Sequence, residues 1–181
     1  MKRLGGIIVI ALIGLLSISA VAQSSADKKA RKATEIARRI NEKDFLFSAN
    51  YVSPARGGGR QLSSEYDLTV NKDTISAYLP YFGQAYLAPN PGSMDNGINF
   101  KWTKVTYDIT PDKKGGFDVL IKPDKQNLSD PNGVQSMRLW VGPGGYATLQ
   151  VTSMNRDGIT FQGTIEPRRD KDGKPLAMNG R

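Results

Sequence analysis

From Phe45 to Ile165 the chain is a succession of short period-two apolar runs, each closed by turn residues. No interval between two runs holds a helical pattern long enough for a parallel crossover, so the sheet should be antiparallel and closed or folded on itself. Phe45, Phe47, Ala49 and Tyr51 alternate with Leu46, Ser48 and Asn50 to give a first strand that Pro54 ends. Tyr66, Leu68 and Val70 form a second, and Asn71-Lys72-Asp73 turns it into the next run as a hairpin. Ile98, Phe100 and Trp102 share one parity, whereas Val105, Tyr107 and Ile109 share the other, which predicts a one-residue bulge near Thr103. Lys113-Lys114-Gly115-Gly116 turns the chain toward Phe117, Val119 and Ile121. After the polar segment from Pro123 to Gly133 come three more runs: Val134 to Val141, Tyr146 to Ser153 with Ala147, Leu149 and Val151 inward, and Ile159 to Ile165. Pro143-Gly144-Gly145 and Asn155-Arg156-Asp157-Gly158 are the turns between them. The expectation is all-β with an N-terminal helix: about eight antiparallel strands in a small barrel or barrel-like sandwich.

The densest apolar and aromatic stretch is Thr74 to Leu87, with Ile75, Ala77, Leu79 and Tyr81 on one side of a period-two pattern. Pro80 withholds a ladder donor and Gly83 follows closely, so this strand should bend sharply or cross between sheet regions. Leu79 and Tyr81 are expected inside, with Tyr78 or Tyr86 opening toward a cavity or toward the aperiodic loop from Ala88 to Gly97.

Ahead of the β region, Met1 to Ala22 read as a secretory signal: Lys2 and Arg3, an apolar core from Leu4 to Leu16, then Ala20-Val21-Ala22. The mature chain would begin at Gln23. It would keep 23 of the 25 basic residues against 17 acidic ones, a net +6, spread along the chain rather than clustered. Ser25 to Lys43 reads as a helix whose weak apolar face is Ala26, Ala30, Ala33, Ala37 and Ile40, widened by Ile36 and surrounded by Lys28, Lys29, Arg31, Lys32, Arg38 and Arg39. An alanine face inserts poorly into lipid, so docking on the protein's own sheet is the expected use. The organisation is then a signal over 1–22, a helix over 23–44, one β domain over 45–167 and a loose polar tail over 168–181.

The chain has no His and no Cys, which removes imidazole bases, thiol nucleophiles, imidazole and thiolate metal ligation, and disulfides. Carboxylate pairs remain: Glu65 and Asp67 share a strand face, and Asp108, Asp118 and Glu166 lie near strands, but no spacing singles out a hydrolytic pair. Asp170-Lys171-Asp172-Gly173 resembles a fragment of a calcium loop without its third acidic position or distal Glu, and reads as a turn. Arg56-Gly57-Gly58-Gly59-Arg60 lacks the ending and the strand-to-helix setting of a phosphate loop and reads as a connection. Aromatics at core parity, not interleaved with cations, argue against nucleic acid. No cofactor and no metal are implied.

Four stretches carry a family resemblance. Tyr78-Leu79-Pro80-Tyr81-Phe82-Gly83-Gln84-Ala85-Tyr86, Phe45-Leu46-Phe47 with Pro54, Gly145-Tyr146-Ala147-Thr148-Leu149-Gln150-Val151 and Ile159-Thr160-Phe161-Gln162-Gly163-Thr164-Ile165 resemble domain-of-unknown-function family 4251, from about Ala33 to Pro167. The resemblance implies an exported protein of Bacteroidetes type. Lipoprotein members have a leader cysteine that this chain lacks, which implies a periplasmic or secreted form. It implies no activity and no catalytic residues.

The leading functional expectation is a non-enzymatic envelope protein that binds a small-molecule, lipid or glycan ligand in a barrel mouth lined by Tyr78, Tyr81, Phe82 and Tyr86, with Trp102 or Trp140 nearby. The alternative is a structural or interaction module that meets an envelope partner through the basic helix or a strand edge. A carboxylate-based glycan hydrolase stands third. No membrane span is expected after signal cleavage.

Overall fold

A computed structural model describes residues 25–86, 97–124, 133–170 and 172–176. Helix α1 covers residues 25–42. Nine strands follow among the described residues: β1 (Asp44–Pro54), β2 (Arg60–Asn71), β3 (Thr74–Leu79), β4 (Ile98–Thr103), β5 (Val105–Pro111), β6 (Phe117–Pro123), β7 (Val134–Val141), β8 (Tyr146–Ser153) and β9 (Ile159–Glu166). All pair antiparallel in one sheet of order β4-β3-β2-β1-β9-β8-β7-β6-β5. First and last strands therefore meet in mid-sheet. The two strands at the ends of that order, β4 and β5, are consecutive in the chain with only Lys104 between them, so the sheet returns on itself as a nearly closed barrel.

Lys104 explains the parity change near Thr103. Its φ is 65°, a left-handed conformation that ordinary residues adopt at a cost, and it breaks the alternation at the point where the chain leaves β3 and takes up β6. Its N–H donates to the Asp73 carbonyl at 3.0 Å. Ile98 and Trp102 thus point inward from β4, while Val105, Tyr107 and Ile109 pack on the same core from β5. The run read as one strand is two, which raises the expected eight to nine.

β3 stops at Leu79, well short of the apolar run's end. Pro80 has no N–H to continue the ladder with β4, and residues 80–86 leave the sheet. Leu87 and residues 88–96 lie outside the described residues. β2 in turn is longer than its apolar pattern, because Gln61 and Arg60 pair with Tyr51 and Val52 through the backbone alone.

The interior is filled by side chains from every strand, among them Phe45, Phe47, Leu68, Ile75, Leu79, Trp102, Ile121, Leu139 and Phe161, all buried. Each such large side chain contributes about 1.5–3 kcal/mol by leaving water, which replaces the disulfides this chain cannot form. From α1 only Ile36 and Ile40 join that core, since residues 25–32, with Ala26 and Ala30, are exposed. The apolar face thus docks through its two isoleucines rather than its alanines. Ile36 lies against Gly145, whose φ of 86° and crowded surroundings exclude a side chain. Tyr107 donates its hydroxyl to the Ile40 carbonyl at 3.4 Å, and Lys43 Nζ stands 5.1 Å from the Tyr107 ring centroid. Burial pushes the Tyr107 phenol well above its ordinary range. Together these contacts lay α1 from the β7–β8 turn to β5. Arg39, buried on the helix, pairs with Glu35 at 2.8 Å and holds that carboxyl below its usual range.

Residues 168–170 and 172–176 fold back onto the sheet, and residues 171 and 177–181 of the expected tail lie outside the described residues. Asp170 Oδ1 accepts from the backbone N–H groups of Asp172 and Lys174 at 2.9 and 2.8 Å, the geometry of a turn. Arg168 pairs with Asp44, and Arg169 with Glu65 and Glu166, which ties the turn to the sheet.

Candidate ligand-binding groove

The register of the sheet places one outward-facing residue from each of five neighbouring strands in a straight row: Thr110 opposite Asp118, Asp118 opposite Trp140, Trp140 opposite Thr148, and Thr148 opposite Gln162. Asn50 continues the row on β1, where the register shifts between Ala49 and Tyr51. These residues line a groove of about 830 Å³ on the outside of the barrel. Its floor is low where Gly163 sits between Ala49 and Ala147, because β1 runs so close that a side chain on Gly163 would collide with the Ser48 carbonyl. The bulge at Asn50 and the glycine opposite it thus shape the same depression.

Trp140 is 39% exposed, although so large an apolar ring is mostly buried in folded proteins. Its orientation is fixed from the side. Arg138, two residues earlier on the same face, grips Asp118 through two contacts, Nε to Oδ1 at 2.9 Å and Nη2 to Oδ2 at 2.7 Å. The same guanidinium stands 5.4 Å from the Trp140 ring centroid. The hydrogen bonds from Arg138 hold the Asp118 carboxyl below its usual range, with a smaller contribution from the Trp140 indole N–H. Asp118 is therefore a fixed anion at neutral pH and cannot serve as a general acid. Tyr146, 77% exposed, adds a second aromatic along the groove. Among the described residues no Lys or Arg lines it.

A second gathering of aromatics lies where residues 80–86 cross to the β8–β9 turn. Ala85 bridges to Arg156, Tyr86 N–H donates to the Asn155 carbonyl at 2.8 Å, and Asp157 N–H donates to the Gln84 carbonyl at 3.0 Å. Tyr81 donates its hydroxyl to the carbonyls of Gln84 and Asp157 at 2.9 and 3.0 Å, and the Arg156 guanidinium lies 5.0 Å from its ring centroid. Burial, then the nearby Asp157 charge, pushes the Tyr81 phenol upward. Arg60 stands 4.4 Å from the Phe82 centroid, Tyr86 donates to Asp157, and Arg56 Nη1 donates to Gln84 Oε1 at 3.3 Å. The hydrogen bond to Asp157 is the main reason that the Tyr86 phenol is also raised. This clasp ties the β1–β2 connection, the crossing segment and the β8–β9 turn together.

The six aromatics expected in one mouth are thus distributed over four places. Tyr81, Phe82 and Tyr86 meet in the clasp. Tyr78 faces outward from β3, stacked on Tyr66 with ring centroids 5.6 Å apart. Trp102 is in the core against Phe100, its indole N–H without a partner. Trp140 alone lines the outer groove. Sequence reading missed Tyr146, Thr148, Gln162 and Asn50 as neighbours of Trp140. Parity was the available signal: with Leu139, Val141, Ala147 and Leu149 inward, Trp140 and Tyr146 must face out.

Of the acidic residues weighed for hydrolysis, Glu65 bonds Arg169 at 3.0 Å, and burial raises the carboxyl of its neighbour Asp67; neither lines the groove. Among the described residues no cluster of three or more His, Cys, Asp or Glu is placed to hold a metal ion, and no helix is long and apolar enough to cross a membrane.

The family described as "Domain of unknown function (DUF4251)" matches residues 27–165. The fold is similar to the crystal structure of a DUF4251 family protein from Bacteroides eggerthii, at 17% sequence identity and a TM-score of 0.52, over 75% of this chain and 87% of that one. No curated protein shows significant sequence similarity to the chain.

Proposed function

The chain belongs to the DUF4251 family, a domain of unknown function by its description, and from that premise we propose that it is an exported envelope protein that binds an extended ligand without catalysing a reaction. The carrying observation is Trp140: an exposed indole, held rigid by Asp118 and Arg138, on the wall of an 830 Å³ groove. Rigid aromatics lose little freedom on binding and offer an apolar face beside polar groups, as ligand sites require. The groove serves better than a barrel mouth because the barrel interior is occupied by its own core and the clasp aromatics already engage one another's surroundings. Export rests on the signal pattern of residues 1–22.

Trp140 is the exposed member of the chain's two tryptophans, so it reports directly. Fractions of soluble envelope extract should protect its fluorescence from acrylamide, and Trp140→Ala should abolish the protected component while leaving the melting temperature nearly unchanged. Absence of protection by every fraction overturns the groove reading. Recovery of the full chain in the cytoplasm, with residues 1–22 uncleaved, overturns export.

A second reading has its own observation. The first two turns of α1 bury nothing, and Lys28, Lys29 and Lys32 border a hollow of about 390 Å³ with Pro143 and Gly144. This suits an interaction module with an acidic partner. Co-purification of such a partner, lost when Lys28, Lys29, Arg31 and Lys32 are neutralised, is its expected signature.

A further inference from the structure

We infer that the occupant of the outer groove is a neutral oligosaccharide laid across the strands along the row from Thr110 to Asn50, an assignment that rests on the groove being a binding site. Charge excludes the first competitor. The chain is strongly basic, yet among the described residues no Lys or Arg lines the groove, and the nearby guanidinium of Arg138 is committed to Asp118. An anionic ligand would find no counter-charge there and would meet Asp112 and Asp118. The basic residues that could attract one lie elsewhere.

Backbone pairing excludes the second. β6, β7, β8, β9 and β1 each have a paired neighbour on both sides; β5, at the end of the order, has one unpaired side, but a peptide added there would run along β5 and not across the row. An acyl chain is a poor match for a row of Thr, Gln and Asn, whose polar groups it would strip of water without replacement.

What the row does supply is a set of side chains that both donate and accept. Thr110, Thr148, Gln162 and Asn50 carry hydroxyl and amide groups, which match sugar hydroxyls because these too are donor and acceptor at once. Asp118 is an acceptor whose charge is already balanced. Trp140 and Tyr146 supply flat apolar surfaces for the C–H faces of pyranose rings, and only ligands with such alternating apolar faces and polar rims use both kinds of group. Length fits as well: from β5 to β1 is five interstrand steps of about 4.8 Å, roughly 24 Å, the span of several pyranose rings.

The test is a titration of the wild-type chain, read by Trp140 fluorescence, with neutral hexasaccharides of glucose, xylose, mannose and galactose in their common linkages, an oligogalacturonate of equal length, and an uncharged decapeptide. A neutral hexasaccharide should bind and its disaccharide should bind at least about tenfold more weakly, because the row engages several rings. By titration calorimetry, which does not depend on the Trp140 signal, Trp140→Ala should weaken the hexasaccharide by about tenfold or more, and Gln162→Ala by a smaller factor, with circular dichroism confirming that both variants keep the fold. Binding only of the oligogalacturonate or the peptide, with a Trp140 response, overturns the neutral saccharide and leaves the groove standing. Failure of every neutral glycan on a broad array, while envelope extract still protects Trp140, has the same meaning. Saccharide binding that Trp140→Ala does not weaken overturns the placement of the sugar in this groove.

Discussion

The clasp and the groove are both built from aromatic and charged side chains, but they spend them in opposite ways. In the clasp the aromatics of residues 81–86 tie the chain to itself, even with Phe82 38% and Tyr86 58% exposed: the Tyr81 hydroxyl satisfies two carbonyls, guanidinium groups cover the Tyr81 and Phe82 rings, and Tyr86 holds Asp157. In the groove the Arg138 guanidinium, held by Asp118 on the next strand, also lies over the Trp140 ring, but Trp140 and Tyr146 stay exposed and tie no distant segment of the chain together. The cause is the backbone. Residues 80–86 have left the sheet and must find partners for their own N–H and C=O groups, whereas Trp140 and Tyr146 stand on strands whose ladders are complete. A dense aromatic motif here signals chain closure, and an aromatic at outward parity on a complete ladder signals exposure.

The strongest test of that contrast is at the root of the clasp. Leu79 is fully buried where β3 ends, so Leu79→Ala should cost about 2–5 kcal/mol in urea denaturation, since the truncation leaves a cavity under Pro80. A nearly silent Leu79→Ala would mean that the crossing segment is not anchored in the core. On the groove side the matching position is Gly163. Gly163→Ala should cost about 1–3 kcal/mol, because the new methyl must push β9 away from the Ser48 carbonyl of β1. It should also change Trp140 quenching, because the floor beside it moves.

How much of this was legible follows from how local each signal is. The inward set of β8 and the parity break near Thr103 could be read because period two is a nearest-neighbour property. The start of β2 could not, since Arg60 and Gln61 pair by backbone alone and show no alternation. Nor could the clasp: Tyr81 finds its partner 76 residues away at Asp157, and nothing near Tyr81 announces that turn. Trp102 and Trp140 were indistinguishable as types, and only their parity on β4 and β7 sends one into the core and the other to the groove. The row itself depends on five registers at once, which no single segment encodes.

A smaller effect sharpens the clasp. Tyr81→Phe keeps the ring under Arg156 but deprives the Gln84 and Asp157 carbonyls of a donor, and should cost about 1 kcal/mol. Faster amide exchange should be confined to 81–86 and the β8–β9 turn. Exchange that rises evenly across the barrel would show the clasp to be part of the global unfolding unit, against the comparison drawn here.

The smallest effect separates the two regions by sign of pH dependence. The Tyr81 phenol is raised above its ordinary value of 10.0, so the folded state holds its proton more tightly than the unfolded chain does. The stability this carries is complete below about pH 10 and is lost as pH rises through the higher folded value. Asp118 is the reverse case: Arg138 lowers its carboxyl below 3.8, so the stability it carries is complete above that value and is lost as pH falls through the lower folded one. Because the Arg138 side chain is 52% exposed and Asp118 27%, water screens the pair, and Asp118→Asn should cost only about 0.5 kcal/mol at pH 7. That difference from wild type should shrink as pH falls below 3.8, while the difference for Tyr81→Phe should shrink only above pH 10. Chemical denaturation of the three proteins at pH 3, 7 and 10.5 measures both slopes. An Asp118→Asn penalty that is undiminished at pH 3 would mean that the carboxylate is not what fixes Trp140, and the groove would lose the support that sets it apart from the clasp.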